Sequence, residues 1–174
     1  MVISKMTPQE YRALREACGL SQEDAREFHG IKNASSVAKW ENGKSYISEM
    51  AEEKIKALNE LIQKSVDNAL IEFNNQTIQQ GSPPDVVVLV TYSDADFETF
   101  MPDMVAQGLP NGAHKAIVRR TYLALIAMEA KVAIVEMNKD DFLDFISANK
   151  MPDNKGTRSA WAVDYYTRFR NEAQ

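Results

Sequence analysis

The chain has 174 residues, 44% of them hydrophobic and 26% charged, which is enough apolar material for one or two small folded domains. A net charge of −5 excludes a protein that binds nucleic acid over its whole surface. A single cysteine excludes an internal disulfide, and with no run of about 18 apolar residues and no signal-like amino terminus we predict a soluble, cytoplasmic protein without a membrane partner.

The charge is unevenly distributed along the chain. Residues 1–64 contain ten Lys or Arg and ten Asp or Glu, whereas residues 65–174 contain ten and fifteen. The acidic excess therefore belongs to the second part. Four basic side chains of the first part, Arg26, Lys32, Lys39 and Lys44, lie close together in sequence, and such a local cluster is sufficient for contact with phosphates.

Two helices are predicted at the start of the chain. Thr7-Pro8 is a helix cap followed by proline at the first helical position, and Tyr11, Leu14 and Cys18 share one side of the helix that it opens. Ser21 is typical of a second cap, with Gln22, Glu23 and Asp24 in the first turn of the helix that follows. This second helix is predicted to end in a turn at Gly30.

A third, short helix completes this pattern. It is capped by Asn33 or Ser35, and the spacing of Val37 and Trp40 places both on its inward face. Asn42-Gly43 ends it. Two short helices joined by a glycine-containing turn, the second small and polar on its outer face, are typical of the helix-turn-helix that enters the DNA major groove.

Over residues 7–64 the chain resembles the lambda-repressor-like (Xre/Cro) helix-turn-helix family. The resemblance is carried by Gln22, Ala25, Gly30 and Trp40-Glu41-Asn42-Gly43. The interval from Gly30 to Trp40 is one residue longer than in the commonest phage repressors, and together with Lys44-Ser45-Tyr46-Ile47-Ser48 it resembles the YdiL-like proteins and the anti-CRISPR-associated autorepressors. This resemblance implies a transcriptional regulator that binds double-stranded DNA.

The residues that would contact DNA follow from this interpretation. Base edges would be read by Ala34, Ser35, Ser36 and Lys39, through a methyl contact, hydroxyl hydrogen bonds and an ammonium group. Phosphates would be bound by Gln22, Lys32, Asn42 and Lys44. The simpler alternative for Ser35 and Ser36 is that they only cap a helix, and Trp40 is expected in the core rather than stacked on a base.

A long helix is predicted from Ser48 to about Gln80, and it outgrows a small helix-turn-helix domain. Gly81-Ser82-Pro83-Pro84 then excludes both helix and central strand. We therefore divide the chain into a DNA-binding domain over 1–64 and a second domain over 65–174, with a boundary signal at 81–84.

The second domain is predicted to be a small α/β unit with about two strands. A strand buried on both faces is predicted at 86–90 and a second strand at 131–137. Helices are predicted over 95–107, 112–129, from the Asn138 cap onward, and over 158–170, where Trp161, Tyr165, Tyr166 and Phe169 would dock on the core or across a dimer interface. The fold class is α+β, mostly α.

The sequence contains no arrangement typical of an enzyme, a metal site or a bound cofactor. His29 and His114 lack companion ligands at metal-binding spacing, and Asp140, Asp141 and Asp144 are more simply the solvated start of a helix than a cation site. No phosphate loop or nucleophile elbow is present. We predict neither catalytic residues nor a metal.

The preferred hypothesis is a homodimeric repressor that reads a palindromic operator. The long helix, a sheet of only two strands and the terminal aromatic residues would all gain from a second copy. One alternative is a sensor whose second domain binds a small molecule, which a polar-lined cavity there would favour. Another is an antitoxin-like protein that masks a protein partner.

Overall fold

A computed structural model describes residues 5–172, which form nine α-helices and two β-strands. In chain order these are α1 Pro8–Ala17, α2 Gln22–His29, α3 Ser36–Glu41, α4 Glu49–Gln80, β1 Val87–Thr91, α5 Asp94–Phe100, α6 Pro102–Ala106, α7 Asn111–Ala127, β2 Val132–Glu136, α8 Lys139–Asn149 and α9 Lys155–Glu172. The predicted fold class, α+β and mostly α, is confirmed. Across residues 5–172 each helix is too short or too polar to span a bilayer.

The chain separates into two compact units. The first consists of the described residues up to 67 together with 101–117, and the second of 68–100 together with the described residues from 118 onward. The sequence predicts residues 101–117 in the second domain, but this segment packs with the amino-terminal helices. Helices α4 and α7 each begin in the first unit and end in the second.

The first two helices begin at reciprocal caps, as the sequence predicts. The Thr7 hydroxyl accepts a hydrogen bond from the Glu10 backbone N–H at 3.2 Å, and the Glu10 carboxylate accepts one from the Thr7 N–H at 2.7 Å. Ser21 and Asp24 form the same pair of bonds at 3.0 and 2.8 Å. Each cap satisfies backbone N–H groups that have no partner inside the helix.

One close approach explains why 101–117 belongs to the first unit. A Cβ atom built on Gly112, near the start of α7, would lie 2.2 Å from the carbonyl oxygen of Gly19. Only glycine permits the two backbones to come so close. Ala113 and Ala116 follow on the same helix and are buried in the core of this unit.

The second unit contains a two-stranded parallel sheet in which Val87 is paired with Val132. Helix α9 packs on both strands. Every residue of β1 is nevertheless only half-buried, so the prediction of a strand buried on both faces is wrong. In a sheet of two strands each strand keeps one open edge, which leaves more of it exposed than in a wider sheet.

The prediction of a single helix over 95–107 is also wrong. The structure has two helices there, α5 and α6, separated at Met101. Pro102 is the reason, because a proline lacks the N–H that an inner helical position donates and disfavours helical geometry in the residue before it. It sits at the first position of α6, where proline is tolerated.

The core of the second unit is aromatic. Phe142 contacts both Phe100 and Trp161 edge to face, with ring centroids 5.6 and 6.0 Å apart. The Trp161 indole N–H donates to Asp141 at 2.7 Å, and Arg168 donates to both oxygens of the same carboxylate, which lowers the pKa of Asp141. Asp141 is therefore part of a packing network. Phe169, expected to dock, is 65% exposed.

Candidate nucleic-acid interface

Helices α2 and α3 are short and are joined by an ordered turn. Helix α2 ends at Gly30, whose φ of 70° lies in the left-handed region that favours glycine. The Arg26 guanidinium donates a hydrogen bond to the carbonyl oxygen of Ile31 at 2.8 Å, and the Ile31 side chain packs against the core. The helix pair that the sequence predicts is therefore present, with both ends of its turn held in place.

Helix α3 is oriented by two core residues, as its spacing predicts. Val37 is fully buried, and Trp40 is 8% exposed and contacts Tyr11 edge to face with ring centroids 5.4 Å apart. The prediction that Trp40 is a core residue is confirmed. With Val37 and Trp40 inward, Lys39 lies on the exposed side of α3 and Ser36 is half-buried.

An ion pair that the sequence does not predict also holds α3. Arg15 Nε donates to a Glu41 oxygen at 2.5 Å, and these side chains are only 8% and 4% exposed. Arg15 also donates to the carbonyl oxygen of Leu20 at 2.5 Å. The available signal was the position of Arg15, four residues after the buried Tyr11 and hence on the same side of α1. This pair fixes the end of α3 against α1.

His29 lies in the same core and is neutral. Its Nε2 atom is 2.9 Å from the Tyr11 hydroxyl, and its ring contacts Trp40. Burial, with a smaller contribution from Lys54, lowers the pKa of His29 to about 4. Burial raises the pKa of the Tyr11 phenol above its ordinary value. Both groups are therefore uncharged near neutral pH, as a core requires.

The four residues predicted to read bases lie on α3 and in the turn just before it. Ala34 and Ser35 are in the turn, Ser36 is the first residue of the helix, and Lys39 is in its last turn. Lys39, Ala34 and Ser35 are exposed, and Ser36 is half-buried. Ala34 and Ser35 were expected to face DNA from the third helix, and both lie just before its first residue.

The alternative that Ser35 caps α3 receives no support from its hydrogen bonds. Ser35 occupies the cap position, but its side chain accepts no bond from the helix. Its hydroxyl and its backbone N–H both donate to the Asn33 side-chain oxygen, at 2.9 and 3.0 Å. The Ser35 oxygen retains acceptor capacity, so the group remains able to bond a base edge.

The residues predicted to bind phosphate differ in their availability. Three of them are exposed: Lys32 precedes α3 in sequence, and Asn42 and Lys44 follow it. Gln22 is exposed too, but its amide donates to Glu41 at 2.8 Å. Glu23 and Asp24 follow Gln22 in the first turn of α2, and two carboxylates there oppose the approach of an anion.

The unpaired positive charge of this surface is carried by three lysines. Arg26 is occupied by Glu23 at 2.6 Å and Glu27 at 3.2 Å. By contrast, the ammonium groups of Lys32, Lys39 and Lys44 form no ion pair with any side chain between residues 5 and 171. In the chain, Lys32 precedes the short side chains of Ala34, Ser35 and Ser36, Lys39 lies on α3, and Lys44 follows the helix. We call the three lysines together with Ala34, Ser35 and Ser36 the α3 surface.

The α3 surface has the chemistry that a major-groove contact requires. Small side chains let a helix approach base edges, while exposed ammonium groups beside them bind phosphate oxygens.

Comparison with known proteins found no protein-family model and no curated protein that the chain matches.

Proposed function

We propose that the chain is a sequence-specific DNA-binding transcriptional regulator, a repressor that places α3 in the major groove. The observation that carries the proposal is the α3 surface. Three lysines without an ion-pair partner among the described residues accompany short side chains at the start of α3, a helix that Trp40 and Glu41 hold against the core. Lys39, Ser35, Ser36 and Ala34 read bases in this proposal. Lys32, Asn42 and Lys44 bind phosphate, and Gln22 contributes less because Glu41 already holds its amide.

Two copies of the chain would act together. One helix of this length covers only a few base pairs, whereas a two-fold pair presents two helices about 34 Å apart, one turn of DNA. The second unit supports this proposal with apolar side chains that a partner would cover: Leu123 and Ile126 on α7 are 59% and 46% exposed, and Ile134 on β2 is 43% exposed. The operator is then a palindrome.

Selection of binding sites from random double-stranded DNA tests DNA binding and palindromy in one experiment. We expect a recurring sequence with two-fold symmetry, bound more weakly as salt rises because each phosphate contact releases counterions. Recovery of no recurring sequence, with no salt-dependent binding of any duplex, would contradict the proposal.

Single substitutions separate base reading from phosphate binding. Lys39→Ala and Ser35→Ala should each relax the preference at particular bases by about 1–3 kcal/mol. Lys44→Ala should instead weaken binding to every sequence and reduce the salt slope by about 1. Lys64→Ala is the matched control, an exposed lysine of the first unit outside the α3 surface. Identical base preferences and salt slopes in all four variants would refute the assignment.

The oligomeric state is measured on the full chain by light scattering without DNA. We expect a dimer, and a Leu123→Asp/Ile126→Asp variant should be monomeric if this exposed part of α7 is in the interface. Leu143→Asp is a control at an exposed apolar residue of α8, 44% exposed. A monomeric wild-type chain at tens of micromolar would remove the dimer from the proposal.

A further inference from the structure

The second unit contains an open cleft of about 700 Å³ at the amino-terminal ends of the two parallel strands. Its floor is formed by Val86 and Val132 and its wall by the last turns of α9. The cleft is lined by Asp85, Val86, Lys131, Val132, Tyr166, Thr167, Arg170 and Asn171. Its volume lies in the range of about 300–1,000 Å³ that is typical of small-molecule sites.

Strand pairing brings one acidic and one basic residue to the mouth of this cleft. The Val87 N–H donates to the Lys131 carbonyl oxygen at 2.8 Å, and Asp85 lies two residues before Val87. Neighbouring strands are only about 5 Å apart, so both charges lie near the same edge of the sheet. Arg170 adds a second cation from α9.

All three of these charged side chains are exposed. Asp85, Lys131 and Arg170 form no ion pair within the part of the chain that the structure describes. The neighbouring Arg168, by comparison, is held by Asp141 and Asp164. Unpaired charges of both signs around an apolar floor provide partners for a ligand that carries both charges and an apolar group.

We infer that this cleft binds a free amino acid with an apolar side chain. Lys131 and Arg170 bind the carboxylate, and Asp85 accepts hydrogen bonds from the ammonium group. Val86, Val132 and the Tyr166 ring contact the side chain. A purely anionic ligand would leave Asp85 facing a like charge, and a purely cationic one would leave two cations facing it, so the zwitterion matches the set of charges best.

The cleft lies wholly in the second unit, so this inference does not rest on DNA binding. Binding is measured by calorimetry on the full chain with L-phenylalanine and L-leucine. Two analogues separate the charges: hydrocinnamate lacks the ammonium group of phenylalanine, and phenethylamine lacks the carboxylate. We expect at least one amino acid to bind about tenfold or more tightly than either analogue, because each analogue leaves a charged group unpaired.

Substitutions then assign each charge. Arg170→Gln should weaken amino-acid and hydrocinnamate binding by about tenfold, and Asp85→Asn should weaken amino-acid binding but leave hydrocinnamate binding equal or stronger. Lys139→Gln, an exposed lysine at the start of α8 and outside the cleft, should change neither.

Three results would overturn the inference. The first is that neither amino acid binds at concentrations up to about 10 mM. The second is binding that Arg170→Gln leaves unchanged. The third is a loss of hydrocinnamate binding in Asp85→Asn as large as the loss of amino-acid binding.

Discussion

Removing the carboxylate of Glu41 should destabilise the first unit more than removing any exposed carboxylate near it. Glu41 accepts from Arg15 at 2.5 and 3.4 Å and from Gln22 at 2.8 Å, and its side chain is 4% exposed. Among the described residues, Glu41→Ala leaves the 8%-exposed Arg15 guanidinium with the Leu20 carbonyl oxygen and the exposed Glu16 as its acceptors. Breaking a buried ion pair by removing one partner costs about 3–5 kcal/mol.

Urea unfolding followed by circular dichroism gives the free energy of unfolding of each variant. Glu16→Ala is the matched control, because Glu16 bonds Arg12 and Arg15 but its side chain is 52% exposed, so we expect a far smaller loss. The double variant Arg15→Met/Glu41→Ala should recover part of the stability that Glu41→Ala loses, since no unpaired charge remains. A loss for Glu41→Ala no larger than that for Glu16→Ala would refute this account of how α3 is held.

Two further perturbations address the same core. Trp40→Ala should lower the free energy of unfolding by about 3–5 kcal/mol and thereby abolish DNA binding. Tyr46→Ala is the control, because Tyr46 is 71% exposed and its removal should change stability little. If Trp40→Ala kept full stability but lost DNA binding, Trp40 would be a contact residue instead. Burial lowers the pKa of His29 and His114 to about 4, below the ordinary value of 6.5, so the folded state disfavours their protonation and stability falls as pH drops from 6.5 toward 4. Between pH 7 and 5 we expect a loss of roughly 1–2 kcal/mol for each histidine in denaturant titrations, and stability that stays constant over that interval would show that the two imidazoles remain hydrated.

Local signals in the sequence predicted most of the elements. Three kinds of feature depend on residues at most four positions apart, and the structure contains all of them. They are the caps at Thr7 and Ser21, the turn at Gly30, and the inward position of Val37 and Trp40. Such short-range rules work because helix caps and helix faces are set by nearby backbone geometry. The prediction of one helix over 95–107 failed because it took no account of Pro102, which lacks the N–H that an inner helical position donates.

Long-range contacts were not predictable by the same reasoning. Asp141 has an ordinary helix-start position, and nothing near it in sequence indicates that Trp161 and Arg168 bind its carboxylate. The role of the Ser35 hydroxyl is likewise not set by its neighbours in sequence, because the path of the turn decides whether it bonds the helix or Asn33. For the α3 surface the sequence supplied the residue set, and the structure added which lysines lack a carboxylate partner.

A fragment that omits residues 101–117 would not contain the complete core of the first unit. A fragment ending near Lys64 would contain the α3 surface but would lack Ala113 and Ala116, which are 1% exposed in the core of that unit. It would also lack Gly112, so the close approach of the Gly19 and Gly112 backbones would be lost. Each buried side chain removed in this way costs apolar burial and leaves a gap that the remaining residues fill only in part. Weak DNA binding by such a fragment would therefore report a damaged core as readily as a missing second copy. Substitutions in the full chain, such as Leu123→Asp/Ile126→Asp, separate these two causes because they leave the core of the first unit complete.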